Sequence, residues 1–132
     1  MQLINKESDY AIRALIYLAK NQDKKSSSKE IAEKKKIPLP YVRRILSVLV
    51  EKKLIKSQEG KQGGFQLFKK PGEISLKSII EIFQGKIQLS GCLYKGHYCQ
   101  NRKTCVVRKS LKKIEKKMKD EFQEVTLDKL LN

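Results

Sequence analysis

Apolar positions near the start of the chain repeat with helical spacing. From Asp9 to about Lys20, Tyr10, Ala11, Ala14, Leu15 and Leu18 fall on one face, and Ile12, Ile16 and Tyr17 widen it almost all the way round. The predicted helix is therefore buried on several sides. The stretch KKSSS (24–28) reads as a solvated connector. Ser27 with Glu30 three residues later has the pattern of a capping box and predicts a short helix through Ile31 and Ala32, closing at Lys34-Lys35-Lys36. Ile37-Pro38-Leu39-Pro40 makes a turn, with Pro40 tolerated in the first turn of the next helix because no amide is needed there.

From Tyr41 to about Lys53 the helical period returns, with Val42, Ile45, Leu46 and Leu49 inward and Tyr41, Arg43, Arg44, Ser47 and Glu51 outward. Two short helices joined by a tight turn predict a helix-turn-helix. The period then changes over LIKSQEGKQGGFQLFKK (54–70): a short strand, a glycine-rich tip from Gly60 to Gly64, and alternation at Phe65 and Leu67. A hairpin in that position is a wing. Ser75 can cap a helix carrying Leu76, Ile79, Ile80 and Phe83 that stops at Gly85. Residues 86–104 form a longer loop, of a length that in compact domains tends to carry function.

From Cys105 onward Val107, Leu111, Ile114, Met118, Phe122 and Val125 form a narrow apolar seam flanked by lysines. Such a seam meets another helix, which predicts homodimerisation through it. A last turn from Thr126 to Leu131 packs back on the domain. The expected fold is mainly α with a small β wing. A winged helix-turn-helix DNA-binding domain spans residues 1–72, and a cysteine loop with a long C-terminal dimerisation helix spans 73–132, the two forming one compact unit.

Charge adds a partner to this outline. The chain of 132 residues carries 30 Lys+Arg against 14 Asp+Glu, a net charge of +16. So large a surplus repels itself and predicts a polyanionic partner, nucleic acid ahead of an anionic membrane surface. No stretch approaches the ~18 consecutive apolar residues of a spanning helix, and MQLINKESDY lacks the plan of a secretory signal, so a cytoplasmic protein is expected. Arg43 and Arg44 stand together on the outward face of the second helix, and arginine reads guanine O6 and N7 through two parallel hydrogen bonds in the major groove. Around them, the helix start at Ser28, Lys29, Pro40, Tyr41, Ser47, and Lys61 and Gln62 of the wing are candidates for contacts to double-stranded DNA. There is no aromatic platform of the kind single strands stack on.

The thiols bring a second chemistry. All three cysteines fall in Cys92-x6-Cys99-x5-Cys105, with His97 between them. An odd, clustered set is a poor disulfide framework and a better metal or redox site. Thiolates are the soft ligands that zinc and iron–sulfur clusters select. Structural zinc uses tighter C-x2–4-C knuckles, whereas wider gaps suit a bulkier cluster wrapped by a loop. One coordination position is left for a non-cysteine group or the other subunit. Unligated structural thiols are the plain alternative, although free cysteine is normally buried and not crowded into a polar loop. His97 reads as an exposed loop residue rather than a ligand. Beyond the thiols and this single histidine no acid–base or nucleophilic set exists, so no enzyme and no small-molecule substrate are expected.

The run SDYAIRALIYLA, the turn IPLPYVRRILSVLVEKKLI, the wing GKQGGFQL, the three-cysteine loop and the closing VTLDKLL together resemble the Rrf2 family of bacterial transcriptional regulators, in order and over nearly the whole chain. The resemblance implies a dimeric winged-helix repressor on a palindromic operator, with a long crossing helix. It also implies one 2Fe-2S or 4Fe-4S cluster per subunit held by three loop cysteines, positions filled here by Cys92, Cys99 and Cys105. Family members that govern iron–sulfur biogenesis place a histidine ligand three residues after the last cysteine, where this chain has Arg108. Nitric-oxide-sensing members use an aspartate just before the Tyr-Ala of the first helix. By that match, Asp9 of the partner subunit is the implied fourth ligand. Asp9, or Ser8 beside it, could equally cap the first helix. The wing also departs from the family pattern, with Glu59-Gly60 in place of Arg-Gly, which leaves Lys61 as the nearby cation. The implied function is DNA binding controlled by an iron–sulfur cluster that senses nitric oxide, redox state or iron–sulfur status. A thiol-based redox regulator or a zinc-stabilised regulator of the same fold is the alternative.

Overall fold

The computed structural model describes residues 1–93 and 99–131; Gly96 and His97 of the cysteine loop lie outside the described residues. Helix α1 runs over Lys6–Lys20. It begins earlier than its apolar pattern indicates because its first turn is polar. The cap is Asn5, whose side-chain oxygen accepts the Ser8 amide at 2.8 Å, so neither Asp9 nor Ser8 caps this helix.

Helix α2 (Ser28–Lys35) opens on Ser27, whose hydroxyl accepts the Glu30 amide at 3.1 Å. The reciprocal half of the predicted capping box does not form. The Glu30 carboxylate turns instead to the Tyr17 hydroxyl, 2.6 Å away on α1, and to Lys24 at 3.2 Å. Lys36 closes α2 in the left-handed region (φ 54°), and the Ile37 amide reaches back to the Ala32 carbonyl at 3.0 Å. That turn drives Ile37 into the core and launches α3 (Leu39–Glu51), with Pro40 in its first turn. Val42, Ile45, Leu46 and Leu49 are buried as the pattern predicts, packed with Leu15 and Leu18 of α1 and Ile31 of α2.

Strands β1 (Ile55–Gln58) and β2 (Gly64–Leu67) pair antiparallel, with Ile55 opposite Leu67 and Gln58 opposite Gly64. The wing tip tolerates little besides glycine. A Cβ on Gly63 would lie 2.1 Å from the Gln58 carbonyl oxygen, and Gly64 has φ +144° with Ser26 backbone pressed against it. Ser26 itself overturns the reading of 24–28 as a wholly solvated connector. It is buried and exchanges two backbone hydrogen bonds with Phe65, at 2.8 and 2.9 Å, which fastens the entry to α2 onto the wing.

Ser75 caps α4 (Leu76–Gln84) by accepting the Ser78 amide at 3.1 Å, and Gly85 ends it. Helix α5 (Val106–Glu124) follows the cysteine loop, and a single turn over Leu127–Leu130 returns to the body of the molecule. Leu127 is buried there and donates its amide to the Ile74 carbonyl at 2.8 Å. The seam on α5 divides. Met118 and Phe122 line a cleft with Leu3, Ile80 and Ile87 of the same chain, whereas Val107 and Ile114 are 65% and 53% exposed. Among the described residues no helix is long and apolar enough to cross a membrane.

Candidate functional site

Two sites were legible in the sequence, and they lie on different elements. The face predicted to read DNA is built by α2, α3 and the wing. Lys29, Pro40, Arg43, Arg44, Ser47, Lys61 and Gln62 are exposed, and Ser28 is partly exposed at the start of α2. The free amides of that helix start form a natural seat for a phosphate. Tyr41 is not fully outward. It is half-buried against α1, its ring edge-on to Tyr10 with centroids 5.5 Å apart.

The two arginines differ. Arg44 forms an ion pair with Glu7 of α1 and lies over the Tyr41 ring at 5.1 Å. Arg43 has neither contact. On the other side of the same aromatic pair, Arg13 stacks on Tyr10 at 5.8 Å and bridges Asp9 at 2.7 Å. Asp9, Arg13, Tyr10, Tyr41, Arg44 and Glu7 thus form a continuous chain of contacts between the first turns of α1 and the exposed side of α3. Asp9 is half-exposed and edges an open polar hollow with Asn5, Lys6 and Lys36.

Behind this face, a second polar cluster locks α2 onto α1. The hydrogen bond to the Glu30 carboxylate, reinforced by burial, raises the Tyr17 phenol above its ordinary pKa. The same hydrogen bond is the main cause that lowers the Glu30 carboxyl, against the opposing effect of burial. Lys24 is raised by its hydrogen bond to Glu30. These groups fix the start of α2 against α1.

The thiol site sits at the junction of the loop and α5. Cys105 is the N-cap of α5, its sulfur accepting the Arg108 amide at 3.4 Å. The Arg108 side chain reaches across and donates from Nε to the Cys92 carbonyl at 3.1 Å. Cys92 Sγ lies 3.2 Å from the Ser90 hydroxyl. Cys99 is exposed, and its carbonyl accepts the Arg102 amide at 3.1 Å. Arg108 therefore draws the segments bearing Cys92 and Cys105 together. Among the described residues, however, no three His, Cys, Asp or Glu side chains stand close enough to hold a metal ion. The donors suit an iron–sulfur cluster in chemical kind, being three soft thiols, but this chain alone does not gather them into a complete ligand set.

Glu115 anchors the same loop and was not singled out by sequence. It accepts the Leu89 amide at 3.0 Å and pairs with Lys119 at 3.0 Å. Burial opposes its charge, yet the Leu89 amide and Lys119 outweigh burial and hold its carboxyl below the ordinary value. The spacing Glu115 to Lys119 is visible in the sequence as a helical ion pair; the burial is not, since lysines surround it. Glu7 gives no signal either, because its partner Arg44 is distant in the chain.

A family model for Rrf2, described as an iron-dependent transcriptional regulator, matches residues 4–132. The chain belongs to the Rrf2 family. It is 33% identical over 125 residues to a protein of Aquifex aeolicus assigned to the HTH-type transcriptional regulators, covering 93% of this chain and 87% of that one. It is 28% identical to the HTH-type transcriptional regulator NsrR of Oceanobacillus iheyensis, covering 97% and 88%. Among solved structures, CymR of B. subtilis, the global cysteine regulator, superposes with a TM-score of 0.80 at 25% identity, covering 99% of this chain and 97% of that one. IscR of T. potens gives a TM-score of 0.77 at 25% identity, covering 97% and 85%. The Rrf2 regulators bind DNA as dimers and are not enzymes. Winged-helix architecture and transcriptional regulation are thereby shared with this chain.

Proposed function

We propose that this Rrf2 protein is a homodimeric repressor whose binding to a palindromic operator is governed by an iron–sulfur cluster on the cysteine loop. Cys92, Cys99 and Cys105 hold the cluster, one per subunit, and Asp9 of the partner subunit supplies the fourth ligand. The observation that carries this reading is Arg108. It stands where a histidine ligand would be expected, and its side chain and amide are both engaged in drawing Cys92 and Cys105 together. The fourth ligand must then come from elsewhere. The Asp9 carboxylate is half-exposed and held only by a surface pair to Arg13, which costs about 0–1 kcal/mol to open.

The bound cluster would supply a redox-sensitive, iron-dependent link that nitric oxide, oxidants or iron shortage can break. The protein's own residues do the rest. Drawing Asp9 toward the partner pulls on the first turn of α1, and that turn is joined to α3 through Tyr10, Tyr41, Glu7 and Arg44. In a dimer the two α3 helices must meet successive major grooves together, so a small change in their separation alters affinity strongly. On DNA, Arg43 and Arg44 read bases, with Tyr41 and Ser47 beside them. Ser28, Lys29 and Pro40, with Lys61 and Gln62 of the wing, contact the backbone. The exposed half of the α5 seam, Val107 and Ile114, is the dimer contact.

A second reading, a thiol-based regulator without a cluster, draws on two observations, the exposed Cys99 and the lack of a gathered ligand set among the described residues. One preparation separates the readings. Anaerobically purified protein is expected to be brown, with iron and acid-labile sulfide. Colourless protein containing zinc, or no metal even after reconstitution, would transfer the cysteines to zinc or thiol chemistry.

A further inference from the structure

Arg43 and Arg44 are adjacent on the exposed side of α3, yet only Arg44 is restrained. Its Nη2 pairs with Oε1 of Glu7, and its guanidinium lies 5.1 Å over Tyr41, which Tyr10 braces edge-on. The Arg44 and Glu7 side chains are 58% and 36% exposed, so water weakens the pair and a better partner can open it. A free arginine on this face would seize any phosphate, whatever the sequence. An arginine already paired with a carboxylate gains little at a phosphate, because it exchanges one anion for another and brings the carboxylate toward a polyanion. Guanine is different, since two parallel hydrogen bonds to O6 and N7 return more than the surface pair loses.

We propose that Glu7 is a specificity-determining residue of DNA recognition, which by pairing with Arg44 suppresses sequence-independent binding to phosphate. The inference rests on α3 being the DNA-reading helix.

The test measures binding of the full chain to a mixed-sequence DNA duplex across a salt series, for wild type, Glu7→Gln, Arg44→Ala and the double variant. Glu7→Gln keeps the length of the side chain, and its thermal unfolding serves as the folding control. It is expected to bind about two- to five-fold tighter than wild type, with a log–log salt slope steeper by about 0.9, the value of one added phosphate contact. Adding Arg44→Ala is expected to abolish both effects. Glu7→Gln binding no tighter, or tightening equally in the Arg44→Ala background, would overturn the proposal; the second result would mean simple removal of a negative charge. Lys29→Gln keeps the underlying reading separable. If that variant binds with unchanged affinity and slope, the α2–α3 face is not the DNA surface at all. If it weakens binding while Glu7→Gln has no effect, only the role of Glu7 falls.

Discussion

The buried core of the molecule closes within one chain, whereas the cysteine loop and α5 are left open. Between residues 1 and 72, Leu15, Leu18, Ile31, Ile45, Leu46, Leu49 and Ile55 are all fully buried in one core. In α5, by contrast, the one residue buried in this chain is an acid, Glu115, while Val106, Val107 and Ile114 stay open. That core, which also takes in Ile74, Ile79 and Leu127, is therefore completed by one chain. The region that carries the cysteines leaves both an apolar seam and a ligand set unfinished, and both gaps are of the kind a second copy fills.

The sharpest way to break this contrast is a pair of truncations. Leu46→Ala removes a fully buried side chain and is expected to destabilise the chain by about 2–5 kcal/mol in denaturant unfolding. Ile114→Ala, at a position 53% exposed, is expected to weaken self-association in sedimentation and to lower unfolding stability only through the lost dimer, by an amount that depends on protein concentration. Equal destabilisation by both, independent of protein concentration, would show that α5 is already packed within one chain. On the reading face, Arg43→Ala is expected to relax discrimination by about 1–3 kcal/mol at one position of each half-site, measured by binding to single-base operator variants.

A smaller effect tests the lock behind that face. Tyr17→Phe deletes the hydrogen bond to Glu30 and is expected to cost about 1 kcal/mol in unfolding. Its pH dependence has a defined sign. The folded Glu30 carboxyl is lowered from its ordinary value of 4.5, so its contribution is complete above that value and is lost as pH falls through the lower folded one. Tyr17→Phe removes the largest cause of the shift and is expected to flatten this acid-side loss. Smallest of all, Glu115→Gln keeps an acceptor for the Leu89 amide but loses the pair with Lys119. It is expected to cost a few tenths of a kcal/mol and to speed hydrogen exchange at Leu89 without disturbing exchange in α1–α3.

The same contrast explains what could be read from sequence. Helical period and turn chemistry marked α2, α3, the wing and α4 closely, because local rules and the final core agree there. Where they failed, a long-range contact had won. The Asn5 cap is the exception, a local bond to the Ser8 amide that is hidden because the polar first turn carries no apolar pattern. Glu30 abandons the capping box because the Tyr17 hydroxyl on α1 offers a better partner. Ser26 looks like linker and is buried because the wing folds back upon it. In the thiol half the residue types were legible, but Arg108 and Glu115, which position the loop, reveal their roles only through contacts 16 and 26 residues away in the chain.

The central claim is that the cysteine loop controls DNA binding. It is tested most directly by selecting bound fragments from a genomic DNA library, using anaerobically purified protein before and after exposure to nitric oxide, with Cys99→Ser in parallel. The account predicts that a palindromic sequence is enriched in one state of the wild-type protein and lost in the other, while Cys99→Ser gives the same result in both. Equal enrichment of one sequence by wild-type protein in both states, and by Cys99→Ser, would leave the DNA reader standing and contradict any control by the thiols.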